Sequence, residues 1–382
     1  MALFFISFFS VFALANYYVA RRVWQGTEFL SRPARIALIV LFIISAASYP
    51  AARGLLSSLD NWFYDFILAA GSLHFVNLLY AFILVAMTDL SRVLFRAGIE
   101  NLKTDPSKYI RVKGIVTLIC GIVVMSLIVW GNLNSMDIRT KYDDFTFPKK
   151  SGTGGTYKIL LFSDSHFSSL NSGAFTKNLL QKIEKESPDI VLIAGDAVDD
   201  NLRVLNRHGF AKSLKNIKAP LGIYLCNGNH EYIVGIGEAK KFFDQSNIKT
   251  LNDTFVVINN SFIVAGRDDS SKSRFIGSDR KPLSRLLSPA KIYDLPILLL
   301  DHQPFNLAQS AREGIEFQFS GHTHNGQFFP ISLITKLIYE ISWGYKKIDK
   351  THFYVSSGVG TWGPPVKIGS DSEIIVLNVS FR

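Results

Sequence analysis

The sequence has few cysteines and little charge. Two cysteines among 382 residues exclude a disulfide scaffold and a zinc-finger array. Cys120 lies in an apolar run and Cys226 in an expected strand, so both read as buried thiols. Charged residues make up 19%, below the quarter usual in soluble domains. Hydrophobic residues make up 48% and mean hydropathy is +0.20. That excludes disorder over most of the chain and implies a very large core or a part in lipid. The net charge of +10 is not gathered in one tail. Residues 1–131 hold 11 Lys+Arg against 6 Asp+Glu, and the remainder 30 against 25, so each part carries +5. This spread argues against a nucleic-acid arm and for membrane flanks plus an anionic substrate.

The first third contains four apolar runs: Leu3–Ala20, Ile36–Pro50, Phe63–Met87 and Ile115–Trp130. A span needs about 20 mostly apolar residues. Runs of this length separated by basic loops read as an all-α transmembrane region, 1–131, of about four helices. Without a basic n-region or a small-residue cleavage site, the first run does not read as a signal peptide. The loops after the first and third runs are rich in Arg and Lys, from Arg21 to Arg35 and from Arg92 to Lys113. Such loops stay in the cytoplasm, which places the termini and the rest of the chain outside. The spans hold few ionisable groups, Asp65 and His74 among them, which gives a transporter little support.

Residues 132–156 read as a linker, with Pro148 and the run Ser151-Gly152-Thr153-Gly154-Gly155. From 157 to 382 short apolar runs alternate with helical spacing, which predicts an α/β domain. Expected buried strands are 158–163, 189–194, 222–226, 297–300 and 316–320. Helices are expected over 174–186, 205–216 and 237–245, a hairpin over 255–265, and late strands over 352–357 and 373–380.

Each of the five buried strands runs into metal-ligand residue types. They are Asp164-Ser165-His166, Gly195-Asp196 with Asp199, Gly228-Asn229-His230-Glu231, Asp301-His302-Gln303-Pro304 and Gly321-His322-Thr323-His324. Ligands of α/β sheets bind beyond the carboxyl ends of strands, so these residues would share one cleft. Singly, each motif is an ordinary turn; five of the eight histidines falling in them is not. His74, His208 and His352 read as structural. Carboxylates, imidazoles and one amide without thiolates suit Mn, Fe, Zn or Co. There are more ligands than one ion needs, and a carboxylate can bridge two. Two cations neutralise phosphate oxygens and bring the pKa of a bound water toward neutrality. A histidine can then protonate the departing alkoxide.

These five motifs resemble the calcineurin-like metallophosphoesterase signature over 158–380. The ending, from Tyr354 through Gly363-Pro364-Pro365-Val366-Lys367, resembles a membrane-anchored branch that includes transmembrane metallophosphoesterases and a UDP-2,3-diacylglucosamine hydrolase type. Lys367 stands where that branch leads one to expect Arg. The resemblance implies a four-layer α/β/β/α sandwich. It implies Asp164, His166 and His324 on one metal, Asn229, His302 and His322 on the other, and Asp196 bridging. His230 would be the catalytic non-ligand histidine, oriented by Asp199. The expected protein is therefore a multi-pass, cytoplasmic-membrane phosphohydrolase with two divalent ions, Mn first. Its catalytic domain is extracytoplasmic and its partners are the bilayer and a lipid-linked phosphoester or pyrophosphate. A phosphodiesterase or phosphatase on soluble nucleotides, and a non-catalytic sensor or scaffold, are the alternatives. Arg267-Asp268-Asp269 reads as a solvated turn. Phe328–Ser342, with Trp343, Tyr345, Lys346, Lys347 and Lys350 after it, suits either the lipid headgroup zone or a core helix and strand.

Overall fold

The structure, a computed structural model, describes residues 2–56, 59–148, 152–171 and 173–382, with side chains from Ile6 onward. The chain divides into two compact units, Met1–Gly131 and Asn132–Arg382.

The first unit is helical: α1 (Ala2–Gly26), α2 (Arg32–Gly54), α3 (Trp62–Leu94), α4 (Arg96–Lys103) and α5 (Pro106–Met136), whose last turn belongs to the second unit. Among the described residues α2, α3 and α5 are long and apolar enough to cross a membrane. The first expected run forms α1, and its start lies outside the residues whose side chains are described. Close approach is built in at Gly71 of α3, where a Cβ would collide with the Tyr49 backbone of α2. His74 is buried with its ring nitrogens 3.2 Å from Ser45 Oγ and 2.9 Å from Asn16 Oδ1. Cys120 is half-buried rather than buried, while Cys226 is fully buried.

Among its described residues the second unit contains twelve strands: β1 (Ile138–Phe147), β2 (Gly155–Phe162), β3 (Ile190–Ala194), β4 (Ile223–Cys226), β5 (Lys249–Thr250), β6 (Thr254–Ile258), β7 (Phe262–Gly266), β8 (Ile297–Leu300), β9 (Phe317–Ser320), β10 (Gly344–Ile348), β11 (Thr351–Val355) and β12 (Ser372–Phe381). They form two six-stranded sheets, ordered β1-β12-β2-β3-β4-β5 and β10-β11-β9-β8-β7-β6. Strand alternation sorts the side chains into layers. Ile159, Leu161, Leu192 and Leu377 face the second sheet, where Val264, Leu298 and Phe319 meet them. Leu160, Phe162, Val191 and Ile193 face α6 (Gly173–Glu186) and its neighbours. On the far side, helix Leu283–Lys291 covers Ile263, Ile297 and Leu299. The result is an α/β/β/α sandwich whose central strands are buried on both faces, which is why they are continuously apolar in sequence.

Two expectations differ from the structure. The segment expected as a linker contains β1, which pairs in parallel with β12 over Ile138–Phe147; its residues 149–151 lie outside the described ones. The helix expected over 205–216 is two short helices, Leu202–Arg207 and Phe210–Leu214, parted at Gly209 with φ 68°.

Candidate metal centre

The five loops expected to converge do so. β2, β3 and β4 run parallel in one sheet and β8 and β9 in the other, so their carboxyl ends meet on one edge of the sandwich. Asp164, His166 and His324 each offer a ligand atom within 4.8 Å of one another, as do Asp196, His302 and His322. In the first group His166 Nε2 lies 3.0 Å from His324 Nε2, which is itself 3.4 Å from Asp164 Oδ1. In the second, His302 Nε2 lies 3.0 Å from Asp196 Oδ2. The Asp164 carboxylate accepts the His322 N–H at 3.0 Å and ties the groups together.

The donors fit a cation. His302 Nδ1 donates to the Ala194 carbonyl at 2.7 Å, which fixes the ring's orientation. Its Nε2 is thereby aimed at the Asp196 carboxylate, and the two atoms together present a nitrogen and an oxygen donor of the kind a divalent ion takes. Asn229 Oδ1 is buried and has no hydrogen-bond partner in the structure. Buried acceptors left this way are costly unless something positive meets them.

Backbone geometry sets these side chains. Asp164, His166, Asp196, His322 and His324 all have left-handed backbone, with φ 55°, 43°, 50°, 72° and 48°. Each such non-glycine residue costs of order 1–3 kcal/mol and persists where its surroundings over-determine it. Glu231 is one of those surroundings. Its buried carboxylate accepts N–H groups from Asp196 (3.0 Å), Ala197 (2.7 Å), Val198 (3.3 Å) and Gly228 (2.7 Å), joining the loops after β3 and β4. Lys367 is another. Its buried ammonium donates to the carbonyls of Ser357 (3.0 Å), Gly358 (2.5 Å) and Asp371 (3.0 Å), a match for its three hydrogens. Burial nonetheless pushes the amine down to about 7. Gly358, at φ 77°, passes so close that a Cβ would lie 2.9 Å from Asp164 Cβ. Sequence reasoning quoted Glu231 and Lys367 without giving either this role, because the contacts are between distant loops.

His230 lies beside both groups. Its Nδ1 is 2.6 Å from Asp199 Oδ1, its Nε2 is 4.0 Å from Asp196 Oδ2, and its ring is 4.6 Å from that of His166. Burial lowers the His230 pKa, but Asp196 and Asp199 outweigh it and raise the value to about 9. His166 and His322 fall to about 4, chiefly by burial and next by neighbouring histidines. Burial lifts Asp164 to about 6.

Arg267-Asp268-Asp269 is not a solvated turn. All three are buried. Arg267 Nη1 bonds Asp301 Oδ2 at 3.1 Å, Asp268 accepts from the Tyr232 hydroxyl at 2.7 Å, and Asp269 accepts from Gln303 Nε2 at 2.9 Å. This network supports the loops bearing His230 and His302 from behind.

A two-sheet sandwich with Asp/His groups at its strand ends defines a protein built to hold divalent ions. The chain belongs to the calcineurin-like metallophosphoesterase family, whose profile, described as calcineurin-like phosphoesterase, matches residues 157–326. It is 30% identical over 236 residues to an uncharacterized metallophosphoesterase of Aquifex aeolicus, covering 60% of this chain and 88% of that one. It is 34% identical over 227 residues to one of Helicobacter pylori, spanning 58% of this chain and 59% of that one. It is 25% identical to a transmembrane protein with metallophosphoesterase domain of Danio rerio, covering 89% of this chain and 79% of that one. Among solved structures it is similar to the NAD nucleotidase of Haemophilus influenzae, at 17% identity and a TM-score of 0.38, covering 54% of this chain and 46% of that one.

Proposed function

We propose that the protein is a membrane-anchored phosphohydrolase with two divalent ions, acting on a lipid-linked phosphoester or pyrophosphate outside the cytoplasmic membrane. The observation that carries the reading is the His230–Asp199 pair at 2.6 Å beside two converging ligand groups. Asp164, His166 and His324 would hold one ion and Asn229, His302 and His322 the other, with Asp196 shared between them; Mn is the first choice. The ions supply charge neutralisation of the phosphate oxygens and acidification of water. His230 gives its proton to the departing oxygen, and Asp199 holds the ring so that Nε2 points at the substrate. A region of several spans where one would anchor the domain supports a lipid substrate, and loop charge supports the outer side.

The test is hydrolysis of an aryl phosphodiester and monoester by the detergent-purified full chain, stripped of metal and then given Mn, Fe, Zn or Co, beside Asp196→Ala. Metal-dependent turnover lost in the variant is expected. No turnover with any metal, in folded protein that still binds ions, moves the assay to phospholipids and lipid pyrophosphates in vesicles; no turnover there either contradicts an enzyme and favours the sensor or scaffold.

A further inference from the structure

We propose that the outward face of helix Ile331–Ile338 is a membrane-docking surface that holds the rim of the metal centre against lipid headgroups. That the docked substrate is a lipid phosphoester rests on the function proposed above; the docking itself does not.

The helix is inside-out for a soluble unit. Leu333, Ile334, Leu337 and Ile338 lie within about 140° of one another at 100° per residue, and all are exposed, Leu337 by 88%. Ser332, on the opposite face, is the helix residue that is buried. A surface helix of a water-soluble domain turns its apolar face to the core; here that face is turned away from it. A strongly amphipathic helix with an unburied apolar face is the pattern of helices that lie in the interface plane.

Its position is the rim of the centre. The helix follows the turn His324–Gly326, and a Cβ on Gly326 would lie 2.5 Å from Ser332 N. Past its end, the Tyr339 ring is 6.2 Å from the His322 ring and stacks on Phe305 at 4.9 Å.

The occupant is lipid because of where the chain enters this unit. The apolar run of α5 ends at Trp130, and Asn132 is the unit's first residue. Asn132 Nδ2 donates to the Pro365 carbonyl at 2.7 Å, and Asn134 Nδ2 to that of Ser370 at 2.8 Å. The same loop carries Trp362, 57% exposed, whose carbonyl accepts from Gln327 Nε2 at 3.0 Å. Phe329 N–H, just before the helix, bonds the Ile368 carbonyl at 2.6 Å. The exit of a membrane helix, an exposed tryptophan and the foot of the apolar helix are thus one hydrogen-bonded patch. Tryptophan favours headgroup depth, and exposed Lys336 on the flank suits an anionic surface.

The test places a bimane label at Leu337→Cys in a Cys120→Ser full chain, reconstituted in phosphatidylcholine–phosphatidylglycerol vesicles. Ile292→Cys, at an exposed site on another helical layer, serves as control. The expected result is severalfold stronger quenching at 337 by spin-labelled lipid than by aqueous iodide, with the reverse at 292. Iodide quenching at 337 equal to that at 292 overturns the proposal. So does protection from both quenchers, which would mean a protein partner or a second copy covers the helix. For the substrate clause, Leu333→Glu/Leu337→Glu is expected to lower turnover of a phospholipid in vesicles at least tenfold and leave aryl phosphate hydrolysis unchanged; equal rates on the phospholipid overturn it. If the parent chain hydrolyses neither substrate, the function proposed above fails, and the quenching result still decides the docking.

Discussion

Five residues with left-handed backbone around two ligand groups indicate that the protein spends conformational energy to aim these side chains. The histidines and aspartates themselves are legible in sequence, because each motif follows a strand and five of the eight histidines fall in the five motifs. The aiming is not: Glu231 and Lys367 act on loops far from them in sequence. His230→Ala is expected to lower kcat by about 10²–10⁴-fold while metal content stays unchanged, checked by steady-state kinetics and metal analysis. Asp199→Asn removes one of the two charges that raise the His230 pKa. A histidine acting as acid works while protonated, so activity falls as pH rises through its pKa. Losing Asp199 lowers that pKa, and the alkaline limb of the kcat profile is expected to move to lower pH. An unmoved limb would contradict the pairing.

At the scale of elements, the site strands are legible because burial on both faces leaves Ile159–Phe162, Ile190–Ala194 and Ile297–Leu300 unbroken apolar runs, while β4 and β9 stay short and mostly apolar around Tyr224 and Gln318. β1 is not, since Lys141, Asp143 and Asp144 sit in an edge strand whose burial alternates weakly, and the glycines after it read as a linker. The split at Gly209 is equally local: helical spacing continues across a residue that breaks the helix. The Arg267-Asp268-Asp269 segment misleads in another way, since charged residues after a hairpin suggest solvent and only the partner loops reveal burial. Glu231→Gln removes the charge that four N–H groups share and is expected to cost about 1–3 kcal/mol, measured as a lowered unfolding midpoint in detergent. Lys367→Met leaves three buried carbonyls unmet and is expected to destabilise by a similar amount, with Lys367→Arg recovering part of it.

For the whole molecule, the membrane region is legible from hydropathy alone and the α/β class from strand–helix alternation, whereas the sandwich is legible only through the family resemblance of the five motifs. The division at Gly131/Asn132 falls where the apolar runs end. A ligand that binds the folded state stabilises it by mass action, so chelation is expected to lower the unfolding midpoint of the catalytic unit and Mn to restore it. The most direct test of the account is metal content per chain, measured by mass spectrometry of the detergent-purified protein after Mn loading. The account predicts two ions per chain, falling to about one in His324→Ala. Folded protein without bound metal, or a content that His324→Ala leaves unchanged, would contradict it.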